Sequence, residues 1–234
     1  MNENPTNSHS EPPAPRTWDA RLARALVRPL KDSWVTPNHL TTVRLLIGLA
    51  GVACLMQGGY AWTNYGALLI VLSNFVDHTD GELARISGKS SKIGHFYDLA
   101  SDALITVLLF VGMGAAVSAQ APADAAGAAG ASAVFTPVLR GTLAGLAVAL
   151  IFFLRMRIES MVGKSGTKQA SAGGFETEDV LYLLPIVTLT GGIAPFLTAA
   201  SIGAPLFAVL VAIDFWRVTR QQARAATTNT RGTR

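Results

Sequence analysis

DHTDGELARISGKSSKIGHFYDLASD, residues 77–102, is the stretch that decides the fold. Asp77, Asp80, Asp98 and Asp102 lie inside or at the edge of two strongly apolar segments. One charged side chain at the centre of a membrane helix costs about 2.5–3.5 kcal/mol on insertion scales. Four carboxylates drawn together also repel one another, and a pair of divalent cations is the economical way to neutralise them. The spacing supports such a gathering. Asp77, Asp80, Gly81, Ala84 and Arg85 follow i, i+3, i+4, i+7, i+8 and share one helix face. Gly94, Asp98 and Asp102 follow i, i+4, i+8 on the next helix. Two neighbouring helices turned face to face would converge these carboxylates on one cavity.

The composition outside this stretch agrees. Half of the 234 residues are hydrophobic and only 15% are charged, against about 25% charged in soluble globular domains. This is the balance of a polytopic, all-α membrane protein. The single cysteine, Cys54, excludes an intramolecular disulfide. The net charge of +4 bears on membrane orientation and lipid contact rather than on nucleic acid, for which the chain carries no motif.

Residues 1–15 are polar and proline-rich, which predicts a disordered tail without the apolar region of a signal peptide. Residues 16–35 predict an interfacial amphipathic helix. Trp18, Leu22, Ala25, Leu26 and Leu30 make an apolar stripe, and Arg21, Arg24, Arg28 and Lys31 a basic surface for anionic headgroups, with Pro29 near the end. Residues 36–225 predict a membrane domain of six transmembrane helices, and 226–234 a polar tail. Thr36-Pro37 is an N-cap followed by proline at the first helical position. The spans expected from hydropathy cover 40–56, 65–85, 93–117, 138–153, 180–197 and 202–215. Arg44, early in the first span, either snorkels or points at the anionic site. Six spans place every Lys and Arg except Arg140 on or near one side, so both termini and the aspartates are expected to face the cytoplasm of a cell membrane.

The pattern D-G-x-x-A-R, eight residues, G-x-x-x-D-x-x-x-D is filled by Asp80, Gly81, Ala84, Arg85, Gly94, Asp98 and Asp102, with Asp77 three residues upstream. It resembles the signature of the CDP-alcohol phosphotransferases. The entry T-P-N-H-L-T-T-V-R (36–44) is similar to that family's approach to its first span. The resemblance implies Asp77, Asp80, Asp98 and Asp102 as ligands of two Mg²⁺ or Mn²⁺ ions, with Asp102 also the general base on the acceptor hydroxyl. It implies Asn38, Asp77, Gly81, Ala84 and Arg85 at the nucleotide, and Gly94 at a close approach of the two motif helices. Homodimers are common in the family. R-M-R-I-E (155–159) resembles the sequence of members that use phosphorylated acceptors, so Arg155, Arg157 and Lys164 are candidates for an acceptor phosphate. Where those members often carry a further arginine, this chain has F-E-T-E-D (175–179). Glu176, Glu178 and Asp179 there suit an amine or the N-terminus of a helix.

The expected activity is transfer of a phosphatidyl group from CDP-diacylglycerol to an alcohol, releasing CMP. The alternative is transfer of a CDP-activated headgroup of the choline or ethanolamine type to a lipid alcohol. A different class is an ion or proton transporter that uses the intramembrane aspartates as its path.

Overall fold

Membrane-sized helices dominate the computed structural model, which describes residues 18–120, 131–162 and 181–231. In order they are α1 (Trp18–Val27) with a 3₁₀ turn at Arg28–Leu30, α2 (Pro37–Gln57), α3 (Tyr60–Ser87), α4 (Lys92–Ala119), α5 (Ala131–Val162), α6 (Leu184–Leu189) and α7 (Ile193–Arg231). No strand occurs among the described residues. Four segments, Pro37–Gln57, Lys92–Ala119, Thr136–Val162 and Ile193–Ala223, are long and apolar enough to cross a membrane. Helix α3 is not among them, since polar residues lie at both ends, Tyr60, Trp62, Asn64 and Tyr65 at one and Asp77, Asp80, Glu82 and Arg85 at the other. Its 28 residues nevertheless reach about 42 Å at 1.5 Å per residue.

Local chemistry sets the ends that position the motif. Thr36 is extended before Pro37, and its N–H donates to His39 Nδ1 at 3.2 Å, so a histidine plays the returning part of a capping box. Gly58 and Gly59, both with positive φ, form the whole connection between α2 and α3. The connection is therefore shorter than the gap between the expected spans 40–56 and 65–85, because two glycines reverse the chain without the strain another residue would meet. Gly88 ends α3 in the left-handed region. Ser91 then caps α4, its Oγ accepting from the Gly94 N–H at 2.9 Å.

Helix α2 packs on both α3 and α4, with α5 against α4, α7 against α5 and α6 against α3. The main core joins Val52 and Leu55 of α2, Ala67 and Ile70 of α3, Leu109, Phe110 and Met113 of α4, Ala144 of α5, Leu184 of α6, and Ile193 and Leu197 of α7. A second cluster sets Ala147, Ile151 and Leu154 against Ala208 and Val211. Small residues let α4 and α5 approach closely, as in other membrane bundles. Gly114 backs onto Pro137 and Val138, Gly141 onto Phe110, and Gly145 onto Val107. Large apolar side chains such as Leu46, Leu68, Leu104, Leu146, Leu206 and Leu210 face outward.

The expected spans need one revision. The fifth span over 180–197 is not one helix, since α6 stops at Leu189 and the chain turns at 190–192, where Gly191 has φ +69°. Pro195 sits in the first turn of α7, where its missing N–H costs nothing. Helices α4 and α5 run past the third and fourth spans expected from hydropathy, α4 to Ala119 and α5 from Ala131. Helix α7 continues into the polar C-terminal segment, to Arg231. The expected N-terminal tail, residues 1–15, lies outside the described residues.

Helix α1 presents two faces. Asp19, Ala20, Ala23 and Val27 are buried where α1 lies along α3, while Trp18, Leu22 and Leu26 of the expected apolar stripe remain exposed. The packing of α4 on α5 yields a test. Gly141→Ala would press a methyl group into the Phe110 carbonyl and is expected to cost about 1–3 kcal/mol. Gly203→Ala, which meets no described atom within 4 Å, should be neutral or stabilising by up to about 1 kcal/mol. Thermal unfolding in detergent compares the two.

Candidate active site

Three helices build one acidic cavity around one arginine. Helix α2 supplies Thr41 and Arg44, α3 supplies Asp77 and Asp80, and α4 supplies Asp98 and Asp102. Arg44 is buried, with 5% of its surface exposed. Its Nη1 reaches Asp102 Oδ1 at 2.5 Å and also pairs with Asp77. Its Nη2 donates to Asp98 Oδ1 and to the Asp98 main-chain carbonyl, both at 2.9 Å. Its Nε stands 3.9 Å from Asp80 Oδ2 and has no hydrogen-bond partner among the described residues. Thr41 Oγ1 donates to the same Asp80 oxygen at 2.7 Å. Ser73 Oγ donates to the Arg44 carbonyl at 2.8 Å, and Gly48 one turn further leaves room for Ser73 and Ile105.

The carboxylates are graded in depth. Side-chain exposure rises from 6% at Asp80 and 24% at Asp77 to 34% at Asp98 and 50% at Asp102. Asp80 is the floor of the cavity and Asp102 its mouth. Oxygens of Asp77, Asp98 and Asp102 lie within 4.8 Å of one another, a spacing from which one cation can be shared. Asp80 stands outside that trio, tied to Thr41. Four carboxylates against one guanidinium leave an excess of three negative charges. The donor set is oxygen throughout, which fits a hard divalent cation such as Mg²⁺ or Mn²⁺.

The other motif residues divide by face. A Cβ on Gly81 would meet no described atom within 4 Å, so space lies open beside the aspartates. A Cβ on Gly94 would fall 2.5 Å from Asn38 Oδ1. Gly94 thus admits Asn38 of α2, rather than the α3 approach expected from the sequence, and places Asn38 one turn from Asp98. Ala84 is half-buried and Arg85 exposed. Arg85 pairs with Glu82, which is 1% exposed and also accepts from Arg24 Nε at 2.7 Å. His78 Nε2 lies 2.7 Å from the buried Asp19, and the Tyr182 hydroxyl 3.4 Å from the same carboxylate. His78 is engaged with α1 and not with the aspartate cavity, while His95 is exposed.

Arg155 and Arg157 are exposed on α5, and the Arg155 guanidinium lies 5.3 Å from the centre of the Phe207 ring. The pairing of Gly114, Gly141 and Gly145 across α4 and α5, continued along the two antiparallel helices, brings both arginines to the end of α4 that carries Asp98. Lys164, Glu176, Glu178 and Asp179 lie outside the described residues.

The model of the CDP-alcohol phosphatidyltransferase family matches residues 34–220. The chain belongs to this family. It is 28% identical over 142 residues to the archaetidylinositol phosphate synthase of Methanothermobacter thermautotrophicus, covering 60% of this chain and 62% of that protein. It is 31% identical over 110 residues to cholinephosphotransferase 1 of Danio rerio, covering 44% of this chain and 27% of that protein. The matches thus span under two thirds of either relative. Within this CDP-alcohol phosphatidyltransferase, the sequence left Thr41 and Glu82 unread and the direction of Arg44 open. Thr41, Arg44 and Gly48 share one helix face by i, i+3, i+7 spacing, the signal that would have turned Arg44 toward the aspartates. His78 and Glu82, at i, i+4, would have marked the second face of α3.

That second face can be tested. Glu82→Gln removes the charge shared by Arg24 and Arg85. The change is expected to cost about 1.5–3 kcal/mol, the range of a hydrogen bond to a charged group. Amide hydrogen exchange in α1 should quicken while exchange in α4 and α5 stays as it was.

Proposed function

We propose that this chain is a phosphatidyltransferase, moving a phosphatidyl group from CDP-diacylglycerol to an alcohol acceptor with release of CMP. The observation that carries the reading is the convergence of Asp77, Asp98 and Asp102 from two helices onto one point, beside the open space at Gly81. In this reading Asp77, Asp80, Asp98 and Asp102 hold two Mg²⁺ or Mn²⁺ ions. Bound there, such ions neutralise pyrophosphate charge and lower the pKa of a hydroxyl.

The chain's own residues supply the rest. Thr41 fixes Asp80, so that carboxylate keeps one orientation. Gly81 and Ala84 leave room for the nucleotide against α3, and Asn38 reaches it from the first turn of α2. Arg85, held at one side by Glu82, presents a planar fork suited to phosphate or cytosine oxygens. Asp102, the most exposed carboxylate of the four, takes the proton of the acceptor hydroxyl. In this reading Arg155 and Arg157, exposed on α5, receive an acceptor phosphate together with Lys164. An interfacial α1 and a cytoplasmic cavity complete the reading. The likeness to a protein named archaetidylinositol phosphate synthase supports an acceptor of the inositol phosphate kind.

The likeness to a cholinephosphotransferase favours a second arrangement, in which the CDP carries the headgroup and a lipid alcohol accepts it. One assay separates the two. Purified protein with Mg²⁺ or Mn²⁺ is given CDP-diacylglycerol with inositol phosphate, glycerol 3-phosphate, inositol or serine, and in parallel CDP-choline with diacylglycerol. Acceptor-dependent CMP release from the first donor is expected, with a loss of about a hundredfold or more in Asp102→Asn and abolition by EDTA. Release from CDP-choline alone would establish the second arrangement, and cation flux without nucleotide turnover would establish a transporter.

A further inference from the structure

Arg44 stands where a cation is wanted, and its contacts differ in kind. Nη1 is shared by Asp77 and Asp102, two of the three residues whose oxygens gather within 4.8 Å. Nη2 holds Asp98 twice, once through a main-chain carbonyl that no carboxylate-bound cation would claim. Nε points toward Asp80 but stops at 3.9 Å, without a hydrogen bond among the described residues. The backbone beneath is clamped by Ser73. A positively charged side chain buried among four aspartates does two opposed things. It reduces their mutual repulsion, and it repels any second cation.

We infer that Arg44 is a positioning residue that serves as the resident counter-cation of the acidic cavity, holding Asp77, Asp98 and Asp102 together before a divalent ion enters and giving up Asp77 and Asp102 when it does. The Nη2 bond to the Asp98 carbonyl anchors the guanidinium through the exchange, and the unfilled Nε offers Asp80 as the replacement partner. Lysine would keep the charge and lose the fork. Methionine would lose both. The metal-dependent half of this inference rests on the function proposed above, while the metal-free half stands on the geometry alone.

The test uses the full chain in detergent, unfolded thermally in EDTA and in Mn²⁺, as wild type, Arg44→Met, Arg44→Lys, Asp102→Asn and the double variant R44M/D102N. In EDTA, Arg44→Met is expected to melt lower than wild type by about 5 °C or more. Arg44→Lys should melt between the two, and the double variant should regain part of the loss because one negative charge has gone with the positive one. In Mn²⁺ the gap between Arg44→Met and wild type should narrow, since the ion supplies the missing charge. Electron paramagnetic resonance should show Mn²⁺ held at least as tightly by Arg44→Met as by wild type. Additive losses in the double variant, or a gap the same with and without Mn²⁺, would overturn the inference. If Arg44→Met fails to fold while the double variant folds, that rescue itself supports it. If wild type neither binds nor responds to Mn²⁺, the metal reading and the proposed exchange both fall, and the double variant in EDTA still decides whether Arg44 is the counter-charge.

Discussion

The ion pairing between Arg44 and the aspartates is the interaction on which the rest of the structure depends. It joins α2 to α3 through Asp77, and α2 to α4 through Asp98 and Asp102. Broken pairs of this kind leave charges buried, which is far more costly than the pairs are favourable. The apolar packing therefore has to bring three helices to one register. Val52, Leu55, Ile70, Leu109 and Met113 do so further along the same helices, and glycines at the crossings bring the backbones close enough for Arg44 to reach. Core and site are two parts of one bundle, apolar towards one end and charged towards the other.

Helix α3 carries two separate jobs on two faces. Asp77, Asp80 and Gly81 serve the cavity. His78 and Glu82 bind α1, through Asp19 and Arg24. Arg85 belongs to the signature yet pairs with Glu82, so it connects the two faces. A surface helix with exposed Trp18, Leu22 and Leu26 is thus tied by charge to the helix that bears two of the four aspartates.

Much of this was legible in the sequence, and the parts that were not have a common cause. The i, i+3, i+4 and i, i+4, i+8 spacings put the aspartates on one face of each motif helix because α-helical periodicity is a local property, while α2 is the helix that packs on both. Thr36-Pro37 marked a helix start for the same reason. Arg44 could be read either way because its direction depends on what stands opposite, and only packing brings Asp98 there. Gly94 was assigned to the wrong neighbour, since its partner Asn38 lies on a helix far away in the chain. The expected fifth span failed because Thr190, Gly191 and Gly192 are uncharged and invisible to hydropathy, although Gly191 adopts a conformation that favours glycine. Glu82 was hidden by its position, an unspecified place within a signature whose fixed residues drew the reading to the opposite face.

The two-glycine connection at Gly58 and Gly59 also bears on how the protein enters its membrane. A helix bearing Asp77, Asp80, Glu82 and Arg85 is a poor candidate to partition into lipid by itself. So short a link holds the end of α2 beside the start of α3, a geometry that favours entry of the two as one hairpin. Within that hairpin Arg44 already faces Asp77 and Asp80, so part of the charge is compensated before α4 emerges from the ribosome with Asp98 and Asp102. The order of synthesis and the order of neutralisation coincide.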